Sequence, residues 1–183
     1  MKRSLLIPLV LVAVFGLAGC DDKEAKVKDT GTPAQVEKTE PTEAVKETAK
    51  VGDLVEVGDW DVRVTKVVLD ANSAIEKANE FNEKPKGQYV LVSFEATYNG
   101  SERTADIFSD LSWTVTGNDN QVNDSASAVT PADTAEVPTE ARKGGTVKGQ
   151  VVFDIATNLL TGATLSVEGY DADFDTVYAD FAL

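Results

Sequence analysis

The chain has 183 residues, with 17 Lys and Arg against 31 Asp and Glu, no His and one Cys, for a formal charge of −14. The missing His removes Ser-His and Cys-His catalytic pairs and imidazole metal ligands, and one Cys makes neither an internal disulfide nor a Cys-based zinc cluster. So acidic a chain is not built to neutralise phosphate, and no nucleic-acid partner is expected.

The N-terminus has the anatomy of a leader. Lys2 and Arg3 precede an apolar run from Leu5 to Phe15 that is short for a bilayer span. It closes on Leu17-Ala18-Gly19-Cys20, which resembles a bacterial lipobox. The resemblance implies a diacylglyceryl thioether on Cys20 and a signal peptidase that recognises Leu17, Ala18 and Gly19 and cuts before the Cys. Two acyl chains on one residue satisfy the two-signal requirement for stable anchoring. Residues 1–19 are thus expected as a lipoprotein signal peptide. Their removal leaves −16 on the rest of the chain.

Residues 21–50 hold eight acidic and six basic side chains, no aromatic residue, no Leu and no Ile. Such a stretch buries too little apolar surface to offset its ordering entropy. Residues 20–50 therefore read as the lipidated Cys and a disordered polar linker, a spacer between membrane and domain.

From residue 51 to 183 the pattern has period two. Val90, Val92, Phe94, Ala96 and Tyr98 alternate with Ser93, Glu95 and Thr97, the mark of a strand buried on one side. Trp60, Val62, Val64 and Val68 read as one face of an earlier strand. Val67 and Leu69 break its alternation and predict a bulge or burial on both sides there. Between these strands, Asn72 to Pro85 contains Ser73-Ala74-Ile75-Glu76, which fits a capping box. It predicts a short helix lined by Ile75, Ala78 and Phe81. Further strands follow on Leu111, Trp113 and Val115, on Val147 to Ile155 with Gly149 inward, on Thr164 to Glu168, and on Asp175 to Phe181. Gly145 is expected to supply a positive-φ turn, and Gly149 to admit a neighbouring backbone or ring. Turn signals at Asn99-Gly100, Gly117–Asn120, Gly144-Gly145 and Thr161-Gly162 separate the strands. Together they predict an all-β, immunoglobulin-like antiparallel β-sandwich with one short helical insertion.

Two stretches carry a family resemblance: Lys84-Pro85-Lys86-Gly87-Gln88-Tyr89 running to Tyr98-Asn99-Gly100-Ser101, and Lys143-Gly144-Gly145-Thr146-Val147-Lys148-Gly149-Gln150-Val151-Val152-Phe153-Asp154. They resemble secreted bacterial lipoproteins with a domain of unknown function in the immunoprotective-antigen, immunoglobulin-like superfamily, common in Gram-positive bacteria. The resemblance implies an extracytoplasmic sandwich and brings no catalytic residues.

Chemistry-bearing constellations are few. Asp171, Asp173 and Asp175 begin like an EF-hand loop, but Thr176 and Ala182 stand where Gly and Glu belong. In an extended strand the three would spread over about 13 Å, so the segment reads as a solvated acidic turn and no metal is expected. Asn118, Asp119, Asn120 and Asp124 form a second acidic-polar loop, read the same way. Trp60, Trp113 and Tyr98 could form an aromatic platform, but each sits on the apolar side of its strand and reads as core. No cofactor and no catalytic residue is expected. The reading is a non-catalytic surface module, held to the membrane by diacylglyceryl on Cys20, with an extracellular or envelope protein as the expected partner. Its rivals are a substrate- or ion-binding lipoprotein serving a transporter or sensor, which needs a concave polar pocket, and an envelope hydrolase, which needs two carboxylates about 5 to 10 Å apart.

Overall fold

The computed structural model describes residues 23–24, 27–29, 48–133 and 137–183. Its strands are β1 Lys23–Glu24, β2 Val27–Asp29, β3 Leu54–Val57, β4 Trp60–Val68, β5 Gln88–Tyr98, β6 Ala105–Asp106, β7 Ser112–Thr116, β8 Val122–Asp124, β9 Glu140–Ala141, β10 Thr146–Ile155, β11 Thr164–Tyr170 and β12 Thr176–Ala182. Helices α1, Asn72–Ala78, and α2, Ile107–Asp110, and a 3-10 turn at Thr157–Leu159 interrupt them. One sheet has the order β1-β12-β11-β7-β8, the other β10-β5-β4-β3-β2, and β6 and β9 form a two-stranded ribbon. Pairing is antiparallel except at β1 with β12 and at the bridge from Ala49 to Phe181. This is the all-β, immunoglobulin-like sandwich that the alternation predicts.

The core follows from period two. Val90, Val92, Phe94, Ala96 and Tyr98 of β5 are all buried, as are Val147, Val151, Phe153 and Ile155 of β10. From the facing sheet come Trp113, Val115, Leu165, Val167 and Phe181. Gly149 lies opposite Phe94 in the β10–β5 register, and the Phe94 ring folds over it. The missing Cβ makes room for an aromatic ring, as expected. The positive φ of the preceding turn belongs to Gly144, at +80°, and not to Gly145.

In β4 the register shifts between Val64 and Lys66. The bulge falls earlier than the sequence pattern suggests, and it exchanges the faces beyond it. Val67 continues the main core, while Val68, expected on that face, packs on the outer side.

Helix α1 is shorter than predicted and starts differently. Ala71 is the N-cap, with no side-chain cap, and Ser73 lies inside the helix. Asn72 cannot serve the helix because its Oδ1 accepts the Tyr89 N–H at 2.8 Å. Ile75 is fully buried on the outer face of the second sheet, with Ala71, Tyr89, Leu91 and Val152. Phe81, expected beside it, is 84% exposed. The helix ends at Ala78, well before Pro85, because Asn79 is extended. Asn82 then pins the following loop: its Nδ2 donates to Ile75 O and Val129 O, and its Oδ1 accepts the Val129 N–H.

Within the stretch 20–50, read as the lipidated Cys and a disordered polar linker, the described residues carry strand pairings. β1 extends one sheet and β2 the other. Ala49 is buried and donates its N–H to Asp180 O at 2.8 Å. The sandwich therefore uses backbone from before residue 51, where an exposed strand edge offers N–H and C=O groups to any nearby segment.

Candidate functional site

Four connections meet at one pole: the β3–β4 turn, the chain leaving β5, helix α2 and the β11–β12 hairpin. They enclose a cavity of about 480 Å³. Its floor is aromatic. Trp60 and Tyr98 are buried with centroids 5.2 Å apart, and Trp60 Nε1 donates to Asp110 Oδ2 at 2.9 Å. The Tyr98 hydroxyl accepts the Glu102 N–H at 3.0 Å. Burial pushes the Tyr98 phenol above its ordinary value; the Glu102 N–H opposes this, and Asp59, Glu102 and Asp110 add to the rise. The phenol therefore stays protonated while its oxygen accepts the Glu102 N–H. Asp59, Glu102, Asp110 and Asp171 line the cavity, and no Lys or Arg does among the described residues.

Helix α2 is set there by Asp106, whose Oδ1 caps the N–H groups of Phe108 and Ser109 and whose Oδ2 accepts the Thr139 hydroxyl at 2.7 Å. The Thr139 bond chiefly holds the Asp106 carboxyl below the usual carboxylate range, burial opposes it, and the two backbone donors help. Both its oxygens are engaged in holding the fold.

The hairpin turn explains the Asp171, Asp173 and Asp175 pattern. All three lie in a tight turn between β11 and β12, the acidic turn that the sequence suggests. Asp171 Oδ1 accepts the N–H groups of Asp173 and Asp175, each at 3.0 Å, and Asp171 O accepts the Phe174 N–H at 2.9 Å. Phe174 takes φ +61°, rare for a bulky side chain. Asp171 is thus a turn former. Among the described residues no three His, Cys, Asp or Glu side chains group as a metal site. The Asn118–Asp124 loop is built alike, with Asp119 Oδ1 accepting the Gln121 N–H and Asn120 at φ +61°.

A second cavity, of about 440 Å³, opens on the flank between β7, the chain after β8 and β10. Trp113 and Thr130, both at its wall, are buried, and Trp113 Nε1 and Thr130 Oγ1 have no hydrogen-bond partner among the described residues. Each orphan group costs about 1–3 kcal/mol. The Trp113 ring is held by Phe94, stacked at 4.6 Å and 28°. Asp124, Asp133 and Gln150 also line this cavity; Asp133 Oδ2 accepts the Thr130 N–H and Gln150 Oε1 the Ala132 N–H.

Leu17, Ala18, Gly19 and Cys20 lie outside the described residues. Trp60, Trp113 and Tyr98 are core, not an exposed platform. Missed in the sequence were Tyr170, 62% exposed, and Phe174, 86% exposed, which line the cavity at the hairpin pole. An aromatic residue inside an acidic turn, Asp173-Phe174-Asp175, was the available signal.

No protein-family model matches the chain, and no curated protein sequence matches it. Among solved structures it is similar to MPT63, a secreted protein from Mycobacterium tuberculosis, at 12% identity over 75% of this chain and 98% of that one, with TM-score 0.50. It is also similar to the yjhA protein from Bacillus subtilis (12% identity, 73% and 98% covered, TM-score 0.48). A third is an uncharacterized β-sandwich protein from Clostridium difficile (10% identity, 77% and 99% covered, TM-score 0.43). The likeness to MPT63 is one of fold: a β-sandwich spanning nearly the whole of that chain.

Proposed function

We propose that this chain is a lipid-anchored, extracytoplasmic, immunoglobulin-like binding module at the cell surface, without catalytic chemistry of its own. The observation that carries the reading is the position of its one Cys, at the end of Leu17-Ala18-Gly19-Cys20 after an apolar run. The fold likeness to a protein described as secreted supports the extracytoplasmic part. The loops displayed at the ends of the sandwich support the binding part, because loops on a rigid scaffold are where contact surfaces form. In cells fed a clickable palmitate analogue, the wild type should take up label and sediment with membranes. Cys20→Ala should be unlabelled and soluble, and a membrane-bound, unlabelled wild type would refute the anchoring.

The flank cavity favours a second reading, a ligand-binding lipoprotein serving a transporter or sensor. An orphan indole N–H needs an acceptor, while the Asp124 and Asp133 carboxylates accept. A neutral, hydroxyl-rich molecule supplies both. Neutral mono- and disaccharides should raise the melting temperature of the wild type and leave that of Trp113→Phe unmoved; no shift with any of them would end this reading.

A further inference from the structure

The N-terminal chain reaches the sandwich from one pole. β1 runs parallel to β12, with Lys23 opposite Val177 and Glu24 opposite Tyr178. Ala49 bridges Phe181 in the same sense. β12 begins at Thr176, directly after the hairpin turn. Both stretches therefore come from the hairpin side and run away from it. Only Asp21 and Asp22 separate Cys20 from Lys23, and three residues reach at most about 11 Å. Residues 30–47 follow the first two pairings and add nothing to that reach.

The same pole displays Phe174 and Tyr170, at 86% and 62% exposure. The turn holds Phe174 outward through the Asp171 bonds. The opposite pole, where β5 begins and β10 ends, carries the other highly exposed phenylalanine, Phe81 at 84%. Of two almost equally exposed rings, one lies within a few residues' reach of the anchoring Cys.

We propose that the hairpin pole faces the bilayer that holds Cys20, with Phe174 seated in the membrane interface and Tyr170 at headgroup depth. This inference rests on the lipid anchoring proposed above. Tyr favours that boundary and Phe is among the side chains that bury into it, and a tether of at most about 11 Å makes the contact intramolecular, so that a weak interaction suffices. Asp171, Asp173 and Asp175 in the same turn oppose an anionic surface, so the contact suits zwitterionic lipid.

The test uses the full lipidated chain in phosphatidylcholine vesicles. Because Cys20 is the one Cys and the lipid consumes its thiol, Phe174→Cys and Phe81→Cys each present a single site for an environment-sensitive NBD label. Label at 174 should shift to the blue, lose quenching by aqueous iodide and gain quenching by spin-labelled lipid, while label at 81 stays solvent-like. Added phosphatidylglycerol should reduce the shift at 174. Vesicles that carry the protein while both positions stay solvent-like overturn the orientation alone. A shift at 174 that persists in Cys20→Ala without vesicles also overturns it, since a second copy or another part of the chain then covers the ring. Protein that fails to float with vesicles and lacks the lipid mass on its N-terminal peptide overturns the anchoring itself.

Discussion

Replacing Gly149 by Ala tests how tightly the two sheets are fitted. The added Cβ would stand 2.5 Å from Phe94 Cζ and 3.0 Å from Phe94 Cε1. Carbon contacts are comfortable from about 3.5 Å, so the ring would have to retreat by about 1 Å. It has little room: Phe94 is 1% exposed, stacked on Trp113 at 4.6 Å and edge-on to Phe108 at 6.1 Å. Overpacking costs about 1–3 kcal/mol, offset by about 0.4–1 kcal/mol from a less free unfolded chain, for a net loss of about 1–2 kcal/mol. Urea unfolding followed by tryptophan fluorescence reads the loss, and a Phe94→Leu background should remove most of it. Gly144→Ala is the control, since nothing lies within 4 Å of its Cβ while φ is +80°. Its cost of about 1 kcal/mol is backbone strain and should be equal in both backgrounds. A Gly149→Ala penalty that persists unchanged in the Phe94→Leu background, where no ring remains to be displaced, would refute the steric account.

Ile75→Ala should cost about 2–4 kcal/mol and act on the outer cluster, so that hydrogen exchange at the Ile75 and Asn79 amides accelerates more than exchange in β5; uniform acceleration would mean that α1 is not a separate layer. Asp106→Asn tests the acid limb. A carboxyl held low in the folded state contributes fully above its unfolded pKa of about 3.9 and loses that contribution as pH falls through the lower folded value. The stability gap between wild type and variant should be flat from pH 5 to 7 and shrink below about pH 4; a gap constant to pH 2 would contradict it. Asp171→Ala should speed exchange at the Asp173 and Asp175 amides and cost about 1 kcal/mol; unchanged exchange at both would show that the turn does not depend on this carboxylate.

What could be read from the sequence was whatever a two-residue period controls. The inward set of β5 and the place of Gly149 beside an aromatic ring both follow from one local rule. Where several interactions compete for one residue, that rule fails. Thr65, skipped in the register between Val64 and Lys66, turns the end of β4 over and sends Val68 outward. The Asn72 side chain is tied to the Tyr89 amide, 17 residues on, and the helix already begins at Asn72 with Ala71 as N-cap, so Ser73 lies inside it and the apparent capping box is never formed. The pairings of β1 and β2 were illegible because strands of two or three residues carry no pattern; they are set by strand edges supplied from far along the chain. The cavity at the hairpin pole was illegible for the same reason, with Trp60 meeting Asp110 across 50 residues.

The distribution of apolar surface narrows where contact can occur. On the outer side of the first sheet Ser112, Thr114 and Thr116 face Thr164, Ser166 and Glu168 across the β7–β11 register, a hydroxyl-rich surface made for water. On the second sheet α1 covers Leu91 and Val152, and beyond it Glu95 pairs with Lys148. Among the described residues neither broad face leaves a contiguous apolar patch to be explained. Among the described residues the most exposed rings stand instead at opposite ends, Phe174 and Phe81, each held out by a loop with its own hydrogen-bonded Asp or Asn. If Cys20 fixes the hairpin pole against lipid, the distal pole with Phe81, α1 and the Asn82 clamp is the part of the sandwich presented away from the membrane. A partner in the surrounding space would then be met there, and substitutions at Phe81 should weaken its binding while those at Phe174 change how the domain sits on the bilayer.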